Sequence, residues 1–328
     1  MKLFTRKFFI FLLPISLLVL NYLLLLIFKE KEGDLSRVAN MFFEKGYHKK
    51  FDIVPDCILF YDIDIQHSPD NPSIMVFGDS FSNIYRPYSY QQAIGRGIKD
   101  SVINVLYDFN YSPEYAALIY LLNAPKEKMP QTLIIESAEK YCIPRLNNLY
   151  FIDSTSIIQI QNNNKKYRAP REKIADIVSY YRNKLGMGKG VIVSELYKPL
   201  FSAKDKEYSL LSTFEDTIHY PNQMISIAVH NLLKLEHLAK TRNVKLLYLI
   251  APNKSSVYAP YTNRQDFFFS LEKTLDFDTI PFLLYPLPLL REQLECGVKD
   301  VYYADDTHWT PHTASLIGDY ILENYLLY

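Results

Sequence analysis

The sequence predicts a three-layer α/β protein, a parallel sheet with helices on both faces, behind one N-terminal membrane-spanning segment. Three observations carry that expectation. Short, wholly apolar, β-branched runs recur along the chain with helical stretches between them. Residues 8–28 form an almost unbroken apolar stretch, interrupted mainly by Pro14, Ser16, Asn21 and Tyr22. Hydrophobic residues make up 48% of 328, enough for a sizeable core and too many for a disordered chain.

The apolar stretch comes first. At about 1.5 Å per residue it is long enough for a hydrocarbon core of about 30 Å. Lys2, Arg6 and Lys7 precede it, so the positive-inside rule keeps the N-terminus cytoplasmic and exports the rest. A cleaved signal peptide is the other reading. The run is long for one, however, and no small-x-small site follows it. Residues 1–30 are thus expected to be a cytoplasmic tip and anchor, and 31–70 a charged stalk and a leader packed on the main domain.

The sheet is expected within 71–328. Its strands are Ser73–Phe77, Val102–Leu106, Thr132–Glu136, Lys245–Ile250 and a fifth within Ile280–Tyr285. Pro113–Leu122 and Ser226–Thr241 read as covering helices, and His312 to about Leu326 as a final helix with Pro311 in its first turn. From about 147 to 217 the alternation breaks. Asn162-Asn163-Asn164-Lys165-Lys166 is a polar run inside what reads as an insertion or cap on the sheet.

Charge and cysteine usage narrow the function. Lysine plus arginine (36) balances aspartate plus glutamate (36), so the chain lacks the basic excess that nucleic-acid binding requires. Cys57, Cys142 and Cys296 are widely spaced and form no CxxC, which points to structural or free thiols. Outside the cytoplasm one pair could join, and the sequence leaves open which.

Two motifs carry chemistry. Gly78-Asp79-Ser80-Phe81 follows the first of these strands, where open α/β sheets bind their ligands. There the Ser80 hydroxyl stands beside free backbone N–H groups that can hold an oxyanion. Ser82 occupies the last glycine position of a GxSxG elbow, so the motif is not that one. The second motif is Asp305-Asp306-Thr307-His308-Trp309. A serine nucleophile needs an imidazole base, and the base needs an acceptor to orient it. His308 is the base, and Asp306 or Asp305 the acceptor. The His308 imidazole is then expected within about 4 Å of the Ser80 hydroxyl. Asp306, His308 and His312 also have D-x-H-x₃-H spacing, but no further ligand cluster accompanies them, and neither a metal nor a cofactor is expected.

These residues resemble the SGNH/GDSL superfamily, in which a GDS block near the start and a D-x(-x)-H block near the end form one triad. The closer likeness is to the SGNH-type O-acetyltransferase proteins of bacterial exopolysaccharide acetylation, such as those acting on alginate. Gly78-Asp79-Ser80-Phe81 resembles their GDSF, and Ile134 to Lys140 their strand ending in E-x-x-E-R, with Lys140 in place of arginine. Ala251 to Pro260 is similar to their P-x-K…YP segment, and Tyr302 to Trp309 to their Y-x-x-D-T-H-W. Two features depart from the pattern. The histidine block follows the serine block here, and the G-x-N-D asparagine is absent.

The resemblance implies an extracytoplasmic serine acyltransferase, anchored in the inner membrane with its catalytic domain in the periplasm. It would O-acetylate a polysaccharide acceptor through Ser80, His308 and Asp306. Because export separates the site from cytoplasmic acyl-CoA, a multi-span membrane acyl-carrier partner is implied as the donor. An esterase on the same triad, or a non-catalytic scaffold of a polysaccharide export complex, are the alternatives. Asn110 and Asn253, each just beyond a strand, are candidate oxyanion donors. Lys254, Tyr258 and Trp309 are candidate substrate contacts. The competing readings are packing beside His308 for Trp309 and a solvated side chain for Lys254.

Overall fold

The computed structural model describes residues 60–64, 69–83, 89–107, 111–149, 191–204, 207–304 and 306–327, together with helical positions 13, 16, 17, 19 and 20. The elements run β1 (Phe60–Asp64), β2 (Ile74–Phe77), α1 (Ser80–Asn83), α2 (Tyr90–Ile98), β3 (Val102–Leu106), α3 (Pro113–Asn123), β4 (Thr132–Ala138) and α4 (Glu139–Asn147). They continue with β5 (Val191–Glu195), β6 (Ser209–Thr213), α5 (Asn222–Thr241), β7 (Lys245–Ala251), α6 (Lys254–Tyr258), β8 (Leu283–Leu284), α7 (Leu287–Glu295) and α8 (Pro311–Ile321).

Six strands pair in the order β1-β3-β2-β4-β7-β8, every pair parallel. Parallel neighbours need crossovers, and the crossovers bring helices to both faces. Alternate strand residues therefore meet two separate cores. Ile74, Val76, Ile134, Leu247 and Leu249 pack with Tyr90 and Ile94 of α2, Leu290 of α7 and Ile317 of α8. Met75, Phe77, Leu133, Ile135, Leu246 and Ile250 pack with Leu118 of α3, Ile143 of α4 and Leu232 of α5. A strand buried on both faces cannot alternate polar and apolar residues, which is why these strands read as continuous apolar runs.

Counted from β2, five of the strands follow the doubly wound order 2-1-3-4-5. The chain leaves β2 toward β3 on one side and reaches β4 on the other, so a crevice opens beyond the carboxyl ends of β2 and β4. The turn after β2 lies at that crevice.

Three elements differ from the sequence expectation. β1 adds a parallel strand beside β3, where only a leader was expected. The end of the expected insertion holds an antiparallel hairpin, β5–β6, and Leu196, Leu200, Phe201 and Leu210 join the main core. The fifth expected strand shrinks to Leu283–Leu284, two residues at the sheet edge. The polar run at 162–166 and almost all of the apolar stretch 8–28 lie outside the described residues. Among the described residues no helix is long and apolar enough to cross a membrane. Cys142 is buried and Cys296 exposed, each a free thiol, and Cys57 lies outside the described residues.

Candidate active site

Ser80 opens α1 immediately after the Gly78-Asp79 turn, and its side chain is exposed. The turn is held from below by its own aspartate. Asp79 Oδ1 accepts the Phe81 N–H (3.2 Å), and Oδ2 accepts both the Ala138 N–H (3.0 Å) and the Arg145 guanidinium (2.9 Å). Gly78 is required by close approach. A Cβ there would stand 1.9 Å from Ser82 Oγ and 2.9 Å from Glu136 Oε2.

Ser82 and Glu136 form the floor beneath this turn. Glu136 Oε2 accepts the Asp79 N–H at 3.0 Å and the Ser82 hydroxyl at 2.8 Å, and Tyr90 Oη lies 2.8 Å from Ser82 Oγ. Burial, and then the neighbouring Asp79 carboxylate, push Glu136 well above the usual carboxylate range. Burial works to raise Asp79 as well, but the Arg145 charge and hydrogen bonds from Glu136, Arg145 and Ala138 hold it low. The pair is thus one neutral acid beside one carboxylate. Glu136 Oε1 has no hydrogen-bond partner among the described residues.

His308 arrives from the other end of the chain. A β-bridge between Tyr302 and Trp309 and the Tyr303 N–H to His308 carbonyl bond (3.2 Å) close a short loop ahead of α8. Thr310 and Thr313 anchor its exit on the carbonyls of Asp300 and Val301, each at 2.8 Å. Inside the loop, Asp306 Oδ1 accepts the His308 N–H (3.0 Å) and lies 2.5 Å from His308 Nδ1. His308 Nε2 lies 2.8 Å from Ser80 Oγ. Asp306 and His308 are 4% and 6% exposed, so water competes little with their bond. Phe81 packs on the imidazole, ring centroids 4.7 Å apart. Ser80, His308 and Asp306 are therefore brought together across 228 positions, well inside the expected 4 Å.

The remaining expected residues divide. Asp305 and Asn110 lie outside the described residues. Asn253, 5% exposed, lines the same cavity of about 160 Å³ as Ser80 and His308. Its Oδ1 accepts the Lys140 N–H (3.3 Å), which fixes the amide orientation, and its Nδ2 is buried with no acceptor among the described residues. Lys254 lines that cavity too, but it is 2% exposed rather than solvated. Its ammonium donates to the Ala304 carbonyl at 2.8 Å and lies 5.0 Å from the Phe201 ring.

Tyr258 and Trp309 correct the expectation of substrate contact. Tyr258 is fully buried, stacked on Phe201 with centroids 5.0 Å apart, and its hydroxyl accepts the Tyr302 N–H. Trp309 is 3% exposed, 4.5 Å from Phe81 and 6.4 Å from Tyr90 between ring centroids. Both rings have their faces occupied, so they fix the two site loops in place. His312 is on the exposed side of α8. Among the described residues no group of three His, Cys, Asp or Glu side chains is arranged to hold a metal ion.

The sequence reading did not single out Arg145 or Asp216, and it took Ser82 only as a departure from the GxSxG elbow. Arg145 supplies the cation for Asp79 from α4, while Lys140 at the cavity wall reaches Thr213 Oγ1 (3.4 Å). Asp216, buried at the cavity edge, accepts from Ser255 and Thr213 hydroxyls at 2.9 and 2.8 Å. None of these has a local sequence signal, because each partner is distant in the chain or of an ordinary type. Glu139 was expected only as a motif letter. It gathers Asn253 N–H, Ser256 hydroxyl, Leu271 N–H and Tyr285 hydroxyl on one buried carboxylate, at 2.6–2.9 Å. The chain matches no protein-family model and no curated protein, so its function is argued from this geometry.

Proposed function

We propose that this chain is a serine acyl-transfer enzyme of the SGNH type, acting outside the cytoplasmic membrane as an O-acetyltransferase on a cell-envelope polysaccharide. The observation that carries the proposal is the continuous relay Asp306 Oδ1–His308 Nδ1 (2.5 Å) and His308 Nε2–Ser80 Oγ (2.8 Å), ending on an exposed hydroxyl. A buried carboxylate on Nδ1 keeps the proton there and leaves Nε2 free to accept the serine proton.

In this reading Ser80 Oγ attacks the acyl carbonyl while His308 Nε2 takes its proton. The proton then passes to the departing alcohol, leaving acyl-Ser80. The acceptor hydroxyl gives its proton to Nε2, attacks the acyl-serine carbonyl and releases Ser80, which recovers the proton. Asp306 stabilises the imidazolium in both halves. The amide nitrogen of Asn253 is the candidate oxyanion donor from a side chain, alongside the N–H groups at the start of α1. A cavity of about 160 Å³ with Lys140, Asp216 and Lys254 in its wall suits a short acyl group better than a fatty chain. The anchor and the multi-span acyl-carrier partner belong to this proposal through the sequence resemblance.

The test is release of p-nitrophenol from its acetate by the full chain, with and without an oligosaccharide acceptor. Ser80→Ala and His308→Ala should each lose nearly all activity, and the double variant should be little worse than either, because a triad acts as a unit. Asp306→Asn should cost on the order of 10⁴ in kcat by favouring the wrong tautomer. Faster release with acceptor, together with acetylated sugar by mass spectrometry, supports transfer; acceptor-independent turnover supports an esterase. Full activity in Ser80→Ala would overturn the enzyme reading. So would an inactive wild type on which polymer export still depends, which is the scaffold outcome.

A further inference from the structure

The second half of that reaction needs a polysaccharide held in place, and the small cavity at Ser80 has no room for one. Resting on that reading, we propose that a separate surface groove between Tyr197 and the turn Asn263–Phe267 binds a hydroxyl-rich stretch of the acceptor glycan, away from the reacting hydroxyl. The groove encloses about 640 Å³. Tyr197 is 68% exposed and Phe267 46%, large apolar areas for a protein to leave in water.

The turn that presents them is built rather than loose. Thr262 and Phe268 at its ends are buried, 4% and 1% exposed. Thr262 is bridged to Leu196, and the Tyr197 N–H donates to the Tyr261 carbonyl at 2.9 Å. Within the turn, the Arg264 N–H donates to Thr262 Oγ1 (3.1 Å) and the Phe267 N–H to the Arg264 carbonyl (3.0 Å). The backbone that bears both rings is thus fixed before any ligand arrives, which limits the ordering cost of binding. The Arg264 guanidinium already lies 5.7 Å from the Phe267 ring centroid.

The lining chemistry selects the ligand class. Asn263, Arg264, Gln265 and Asp266 line the groove with the two rings, and among the described residues no aliphatic side chain does. A protein-docking face would be expected to offer aliphatic anchors at its centre. A pyranose instead presents a C–H face to an aromatic ring and a rim of hydroxyls to amides and charged groups. Asp266 is paired with Lys273 at 2.7 Å, which leaves one cation among the described lining residues, Arg264, and its guanidinium lies against the Phe267 ring. One cation is too few to hold a polyanion, so binding should run through hydroxyls and stacking and respond weakly to salt.

One short buried helical run separates the groove from the Ser80 cavity along the chain. The five residues of Lys254–Tyr258 and the three of Ala259–Tyr261 form one helical run from the Ser80 cavity to Thr262. Along its axis that run rises about 13 Å, a reach of a few sugar units.

The probe is the envelope polysaccharide extracted from the source cells, cast into native gels through which the full chain migrates in detergent. Wild type and Ser80→Ala should be retarded equally, at low and high salt. Tyr197→Ala and Phe267→Ser should each weaken retention about tenfold, the scale of one lost aromatic stack. Tyr208→Ala removes an equally exposed ring outside the groove and should migrate as wild type. Thermal melts of all variants check folding. The proposal is overturned if wild type is not retarded, if Tyr197→Ala and Phe267→Ser are retarded as wild type, if Tyr208→Ala loses retention equally, or if high salt abolishes it. Failure of the serine chemistry would appear in the Ser80 assays and would leave this binding result standing.

Discussion

Replacing Glu136 with glutamine should stabilise this protein increasingly as the pH rises, because glutamine imitates the neutral acid found there. Glu136 is fully buried beside Asp79, and burial first, then that neighbour, raise its pKa well above 4.5. A carboxyl group raised on folding contributes its stability below the unfolded value and loses it as the pH climbs toward the folded one. The loss runs at up to about 1.4 kcal/mol per pH unit while the unfolded chain is ionised and the folded one is not. Between pH 5 and 7 the wild type should therefore lose up to about 3 kcal/mol relative to Glu136→Gln. Asp79, held below its ordinary 3.8, stays ionised throughout that window and cancels from the difference. Glu136→Ala has a different signature. It strips the acceptor from the Asp79 N–H and the Ser82 hydroxyl and opens a void, costing about 2–5 kcal/mol even at pH 5. Urea unfolding of the three proteins at pH 5, 6 and 7 measures both effects. A Gln-minus-wild-type difference that stays flat, or falls as pH rises, would mean that Glu136 is ionised in the folded state and would refute the neutral-acid argument.

Two further perturbations probe the supports of the site. Arg145→Met should destabilise by about 2–4 kcal/mol in urea, since it leaves the Asp79 carboxylate without its cation, and Asp79→Asn should recover part of that loss. Equal stability of Arg145→Met and wild type would remove the ion pair from the account. Gly318→Ala should cost about 1–3 kcal/mol and lower kcat. Its Cβ would stand 2.5 Å from the Tyr90 carbonyl oxygen and 2.6 Å from Ala93 Cβ, so α8 must back away from α2 and carry the His308 loop with it. An alanine variant with wild-type melting and kcat would show that the two helices can part without cost to the site.

What was legible in the sequence follows from how locally each feature is written. β2, β3, β4 and β7 stand out because strands buried on both faces need unbroken apolar runs, and the expected bounds differ from the observed ones by two residues at most. β1 was hidden because Phe60-Tyr61-Asp62-Ile63-Asp64 carries two aspartates and is an edge strand. The β5–β6 hairpin was hidden because Val191-Ile192-Val193-Ser194-Glu195 follows a long polar stretch with no strong turn signal between the two strands. Ser80, Asp306 and His308 were legible because each sits in a short motif whose spacing chemistry dictates. Arg145 and Ser82 were not, since their value lies in partners 66 and 54 positions away. For Tyr258 and Trp309 the residue type was read correctly and the exposure was not: an aromatic ring beside a site motif is as well suited to wedging loops as to meeting a sugar.

The two kinds of residue at this site answer to different physical demands. Ser80, which the proposed reaction needs reachable, stands on a four-residue helix that has too few hydrogen bonds of its own to be stable. Its position has to come from elsewhere, and the Asp79–Arg145 pair, the neutral Glu136 and the Ser82–Tyr90 contact supply it from β4, α4 and α2. His308 and Asp306 must be shielded instead, because their bond orients the imidazole only where water competes little for it. Shielding is supplied by Phe81, which follows the serine and covers the imidazole, and by Lys254, Tyr258 and Tyr302, which tie the histidine loop to the segment after β7. The residue next to Ser80 thus helps bury His308. A substitution at Phe81 should accordingly act on both partners at once, whereas one at Arg145 should act first on Ser80.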